Sequence, residues 1–416
     1  MSSRIAVLVA ASGANWEALA LRELSAAGPA VVVLKRCVDL PDLLASAMTG
    51  QAQVALIADD LPGVDVDSVA HLRRCGLAVM MVTDHPETGG RNRLGVEHVL
   101  SVSELPGLPE TVRSAASQPE EATAALEPED DASLEPPRSG RVLAVWGPAG
   151  APGRTTVAAG VAAEIASRGH ETFLVDADPY GGTVAQHLGL LDEVSGLLAA
   201  ARVANAGELD RERLATCARQ VNPTLRVLTG LPRADRWTEV RPAAFEQVLD
   251  QAATLAGNIV VDTGFCLEED PGAAFGGTAP QRNGMTTAAL EHADEVITVG
   301  SADPVGLARL ARGLVELTET IPGCGIRVLI NRSRSSLGWR AEEITAMLGD
   351  FVTADGVHLL PDDQPATDRA IVAGKSLVEI GDSPLRRGIA QVVDAITGEV
   401  IGHGARPRPR LLRRRA

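Results

Sequence analysis

The chain has 416 residues, 45% of them hydrophobic, enough for two or three domains with cores of their own. Its net charge of −16 argues against bulk nucleic-acid binding, which needs clustered Lys and Arg. No run is long and apolar enough to span a bilayer, no leader pattern opens the chain, and five scattered cysteines form no C-x-x-C pair. A disulfide frame or structural metal is therefore not expected, and a cytoplasmic setting is.

Residues 1–116 alternate strand-like and helix-like segments. Strands are expected at 5–9, 30–34, 54–58, 77–82 and 96–102, with helices at 16–26, 40–48 and 66–74 between them. Such alternation predicts a parallel sheet covered by helices on both faces. The third strand ends at Asp59 and the fourth at Thr83. In these positions the unit resembles the receiver domain of two-component signalling, with Asp59 where a phosphoacceptor would stand. Ala10, Ala11 and Ser12 occupy the place of the acids a receiver uses for magnesium, and Ser101 and Ser103 replace a lysine. The expected role is that of a pseudo-receiver, an interaction module without phosphorylation.

Residues 117–139 change character. Seven acidic residues alternate with four prolines, a composition too polar to offset the entropy of ordering. A flexible acidic linker is expected there.

Residues 140–398 read as a second doubly wound α/β unit, opened by SGRVLAVWGPAGAPGRTTVAAGVAAEIASRGHETFLVDADPYGG. A short apolar strand leads into a Gly/Pro loop, an Ala-rich helix starts at Thr155 and Thr156, and a second strand ends in Asp176 and Asp178. Loop N–H groups and a helix N-terminus converge in this way on an anion. A hydroxyl at the helix start and a strand-end carboxylate can share a magnesium ion. The same letters also serve an ordinary Gly/Pro turn of a βαβ unit. Aligned to G-x-x-x-x-G-K-[ST], the loop has Pro148 for the first glycine and Arg154 for the lysine. Arginine keeps the charge but not the compact ammonium.

Further along, residues 258–261 form a buried strand ending in Asp262, at the position of a Walker B acid. Strand-end acids also start turns, but Asp176, Asp178 and Asp262 together with the loop favour a ligand site. The stretch 268–284 is long for a connection and carries Arg282. The strand at 327–330 ends at Asn331, whose amide offers a donor and an acceptor to an adenine edge. His187 and His358 match no catalytic pattern and read as packing or surface residues. The tail, 399–416, carries six arginines among prolines; as a solvated tail it would at most touch anionic lipid or nucleic acid weakly, at about 1 kcal/mol per basic residue at a lipid surface.

Taken in order, GPAGAPGRTT, VDADPYGG, IVVDTG, INR, LLPDD and AIVAGKSL resemble the motifs of the MinD/ParA deviant-Walker ATPases. With the receiver-like half, the likeness narrows to CpaE/TadZ-type proteins of Tad pilus assembly and polar localisation. The resemblance implies ATP and Mg2+ as cofactors. It puts Gly150, Gly153, Arg154, Thr155 and Thr156 around the phosphates, with Thr155 on the metal. Asp178 would orient the attacking water, Asp176 and Asp262 would support the metal shell, and Asn331, Pro361 and Asp362 would hold adenine. It also implies a homodimer, protein partners of a pilus or positioning system, and a cytoplasmic protein at the inner membrane face or the pole. The family's signature lysine falls on Ala149. With Arg154 for the other lysine, the expectation is nucleotide binding with slow or absent hydrolysis; the alternative is a nucleotide-free scaffold.

Overall fold

The computed structural model describes residues 4–11, 13–83, 94–96, 98–117, 140–190, 194–268 and 280–399. The acidic linker expected at 117–139 and the tail at 399–416 lie outside them, apart from Ser117 and Glu399. So do Ser12 and most of the long connection after residue 268.

The first half runs β1 (Ile5–Ala10), α1 (Glu17–Ala26), β2 (Val31–Arg36), α2 (Leu40–Ala47), β3 (Val54–Ala58), α3 (Val66–Arg74), β4 (Ala78–Thr83), β5 (His98–Ser101) and α4 (Leu108–Ala116). Its strands are all parallel in the order β2-β1-β3-β4-β5, that of flavodoxin-like doubly wound sheets. All five residues of β3 are buried, because helices cover both faces and the run VALIA has no polar side to offer. The starts of α2 and α3 are fixed by Asp39 and Asp65, whose carboxylates accept from Asp42 N and Ser68 N. At the strand ends the Thr83 hydroxyl donates to Asp59 Oδ2 at 2.5 Å. Ala10 and Ala11, at the end of the neighbouring β1, are buried and offer it no acidic companion.

The second half runs β6 (Arg141–Trp146), α5 (Arg154–Ser167), β7 (Thr172–Ala177), α6 (Val184–His187), α7 (Gly196–Asn205), α8 (Arg211–Cys217), β8 (Arg219–Asn222), β9 (Leu225–Leu228), α9 (Pro242–Leu255), β10 (Asn258–Thr263), α10 (Gly284–Glu291), β11 (Glu295–Ser301), α11 (Pro304–Thr320), β12 (Gly325–Ser333), α12 (Ala341–Leu348), β13 (Gly356–Pro361), α13 (Gln364–Ala373), α14 (Leu377–Ile380) and α15 (Pro384–Thr397). The sheet order is β13-β12-β11-β6-β10-β7-β9-β8. The α/β doubly wound class read from the sequence is the class observed. One edge departs from the parallel rule: β8 pairs antiparallel with β9. The stretch between α6 and β9 carries two separate helices, α7 and α8, with α8 ending just before β8.

The core of this half is built from small aliphatic side chains. In α5, ten of fourteen residues are buried, six of them Ala or Gly, so the helix lies close against the strands that flank it. The sheet edge away from β8 is tied by ions instead: Glu295 on β11 accepts from Arg141 and Arg327, both at 2.5 Å. His358 on β13 lies against Arg327. No helix among the described residues is long and apolar enough to cross a membrane.

The two halves meet where α3 faces the start of α9. Arg241 pairs with Asp65 at 2.7 Å, and Ala243 N in the first turn of α9 donates to Asp67 Oδ1 at 3.1 Å. Asp67 is buried, and burial pushes its carboxyl up to about 6, against the Ala243 N–H and the charge of Arg241. A raised folded-state pKa makes this group stabilising below its unfolded value of 3.8, a contribution lost as pH climbs through 6. Asp67→Asn keeps an acceptor for Ala243 N–H and does not ionise. Its Tm should therefore exceed that of the wild type by an amount that grows from pH 4 to 7 and is constant above, which thermal denaturation of the full chain across pH checks.

Candidate functional site

The carboxyl ends of β6, β7 and β10 bring the loop and the acids together. Beyond Trp146 and Gly147 the chain turns at Pro148, whose carbonyl accepts from Ala151 N at 3.0 Å. Gly150 and Gly153 take φ of 79° and 87°, the left-handed region where a side chain is strained. Gly153 then serves as N-cap of α5, and no side chain caps the helix. The first N–H groups of α5 have no intrahelical acceptor, and with the helix dipole they form an anion-binding end. Thr155 and Thr156 lie in this first turn.

The loop is braced from both sides. Asn331, at the end of β12, donates from Nδ2 to Pro152 O at 2.9 Å and accepts at Oδ1 from Arg332 N at 2.9 Å. A Cβ on Gly153 would strike that amide. Asn331 is thus the loop's support, and an adenine contact would use its remaining N–H and lone pair. Arg332 beside it has φ 55°, the only left-handed non-glycine among the described residues. From the other side α11 lies on the loop, where Gly313 leaves room for Pro148 and Trp146. Pro361 and Asp362 stand one strand further out, at the end of β13; Asp362 pairs with Arg334 at 3.7 Å.

Asp176 and Asp262 are register neighbours on β7 and β10, and each is 1% exposed. Asp176 Oδ2 accepts from Val184 N at 3.0 Å. Gly182 and Gly230 close on its carboxyl so tightly that neither could carry a side chain. Burial pushes Asp176 up to about 7 despite its backbone donors. It holds the turn that follows β7. Asp262 is held well above the carboxylate range, by burial first and then by the charge of Asp176. Both of its oxygens are buried and unpartnered. The Thr155 hydroxyl faces it, near enough to draw its pKa down but outside hydrogen-bond geometry. An orphaned carboxylate beside a helix-start hydroxyl suits Mg2+, which takes one or two protein oxygens and completes its shell with phosphate and water. Among the described residues no cluster of three His, Cys, Asp or Glu could hold a metal alone.

Arg154 is folded inward. Its guanidinium lies 3.8 Å from Asp178, donates to Gly147 O at 3.3 Å and stands 5.9 Å over the Phe265 ring. Phe265 packs on Tyr180 at 4.7 Å, and Arg282 stacks over Tyr180 at 4.2 Å. The Tyr180 hydroxyl donates to Asn283 Oδ1 at 2.7 Å. Asp178 Oδ1 accepts from Tyr180 N at 2.9 Å, so this ladder sets the angle of Asp178 as well. Phe265, Tyr180 and Asn283 were not singled out in the sequence. The signal was there: Tyr180 is the only tyrosine in 416 residues and Phe265 one of five phenylalanines, each within a few residues of a strand-end acid. A small cleft runs along the start of α5, lined by Thr156, Gly160, His187, Thr367 and Lys375 among others.

No protein-family profile matches the sequence, and no curated protein does. Solved structures do. A ParA family ATPase from Chlorobium tepidum is 20% identical and covers 61% of this chain and 98% of its own, at a TM-score of 0.51. The cell division ATPase MinD of Pyrococcus furiosus is 19% identical, with 62% and 99% covered and a TM-score of 0.50. MinD of Pyrococcus horikoshii, complexed with Mg-ADP, is 18% identical, with 62% and 98% covered and a TM-score of 0.48. At these identities the likeness establishes the fold, that of MinD and ParA ATPases.

The ligand-free site stores a penalty at Asp262. Its raised pKa is stabilising at low pH, and the contribution is lost as pH rises through the folded-state value. Asp262→Asn should therefore raise the Tm at pH 8 more than at pH 5, which thermal denaturation of the full chain across pH reads.

Proposed function

We propose that the chain is a MinD/ParA-like ATP-binding protein with slow or absent hydrolysis that positions partner proteins. The observation that carries this reading is the open N-terminus of α5, set in a braced glycine loop and facing the orphaned carboxylate of Asp262 across Thr155. Gly150, Gly153 and the first-turn N–H groups would receive the phosphates. Thr155 and Asp262 would hold Mg2+, with Asp176 as their buried support. The metal would bridge and neutralise phosphate oxygens. Asp178, aimed by Tyr180 N–H, would orient water, and Arg154 would leave Gly147 O and Asp178 to meet the anion. Asn331, Pro361 and Asp362 would border the base.

Slow turnover follows from cation supply. Position 149 is alanine, and Arg154 is already engaged by Asp178 and Phe265. Positive charge at a transferring phosphoryl group is worth orders of magnitude in rate.

The reading extends to a CpaE/TadZ-like organisation: a pseudo-receiver at 1–116, an acidic linker at 117–139, the ATP-binding unit at 140–398 and a basic tail at 399–416. Asp59 engaged by Thr83, with buried alanines where acids would be needed, supports a first unit that binds partners and is not phosphorylated. The proposed setting is cytoplasmic, as a homodimer serving pilus assembly or polar localisation, with the tail in weak contact with anionic lipid. The second reading is a scaffold that binds no nucleotide; the contacts that hold Arg154 inward favour it.

Titration with a fluorescent ATP analogue and Mg2+ separates the two. Saturable binding that Arg154→Ala weakens, with phosphate release at about 10⁻² s⁻¹ or slower, supports the ATP-binding reading. If the wild type does not bind, the scaffold stands.

A further inference from the structure

We propose that Arg309 on α11 is the second phosphate-binding cation of the loop, standing where the loop itself supplies none. The inference rests on the anion-cradle reading above and adds a residue that no loop motif contains. Two positions one turn apart on α11 meet the loop: Gly313 against Pro148 and Trp146, and Arg309 against Gly150. The packing of Gly313 fixes the height of the helix, and the guanidinium of Arg309 comes to rest on the loop backbone. A Cβ on Gly150 would run into Arg309 Nη1. Glycine is needed there for its left-handed φ of 79°, and a side chain in its place would also push the arginine off the loop.

The electrostatic setting of this arginine differs from that of Arg154. Arg154 has Asp178, Gly147 O and Phe265. Arg309 is exposed, and among the described residues no hydrogen bond or ion pair engages it. The acid nearest in sequence, Asp303, is taken by Ser301 Oγ at 2.5 Å and Gly306 N at 2.9 Å. A surface arginine without a partner is ordinary; one held over an anion-binding loop of left-handed glycines is not. The site gathers three carboxyl groups, Asp176, Asp178 and Asp262, against one inward cation that is already paired. A polyphosphate entering it needs more positive charge, and a guanidinium fork answers phosphate oxygens in two bonds at once.

The test uses the full chain and three probes: MgATP, MgADP and inorganic tripolyphosphate. Arg309→Ala should weaken MgATP binding by roughly 10- to 100-fold and flatten its salt dependence. It should leave the ligand-free Tm within about 1 °C, as expected of an exposed side chain. Arg309→Lys, which keeps charge without the fork, should recover part of the loss. If the wild type binds MgATP and Arg309→Ala binds it equally well, the inference fails and the proposed function survives. If the wild type binds tripolyphosphate but no nucleotide, and Arg309→Ala loses it, Arg309 stands and the nucleotide reading falls. If the wild type binds neither, both fall.

Discussion

Two carboxyl groups level with each other on adjacent parallel strands, both out of water, cannot both ionise without help. Asp176 has part of that help, from Val184 N and the turn it holds. Asp262 has less: both oxygens lack a hydrogen-bond partner, and only the Thr155 hydroxyl at the start of the helix and the charge of Arg154 favour its ionised form. Burial and the neighbouring charge push both groups toward the protonated form. Such a pair is costly in a ligand-free protein, where apolar residues of similar volume would pack without penalty. A divalent cation at Thr155 and Asp262 would relieve that cost, and the open helix end would supply the place for the anion that accompanies the metal.

The loop's shape depends on the same economy of partners. With Pro148 where a flexible glycine is usual, the turn is stiffened at its entry and needs Gly150 and Gly153 for its remaining bends. It is then held between Asn331 below and α11 beside it. Little of this support comes from the loop's own sequence. The residues that shape the cradle lie on β12 and α11, about 160 to 180 positions downstream of it.

That distance explains what could be read in advance. The α/β class was legible, because apolar runs of strand length alternated with helical spacing through most of the chain. The strand-end acids were legible too, since a carboxylate closing a buried run is a local pattern. The antiparallel β8 was not: the exposed letters RQVN carry no apolar alternation, and the strand exists only because β9 offers an edge. Asn331 was read for its amide chemistry, but its engagement with Pro152 O is a tertiary fact. Arg309 was invisible, one of two arginines on an amphipathic helix, until the helix was seated on the loop. Phe265 and Tyr180 belong between these cases, rare letters beside acids whose meeting across two strand ends no spacing announces.

The scarcity of aromatic residues has a practical side. Because Tyr180 has no counterpart elsewhere in the chain and sits in the ladder that joins Arg154 to Arg282, the molecule carries a spectroscopic beacon of its own. Biosynthetic fluorotyrosine would give a single fluorine resonance for the whole polypeptide, located beside the acids and the loop. Events at that corner could be watched one nucleus at a time, with no label attached and no residue exchanged.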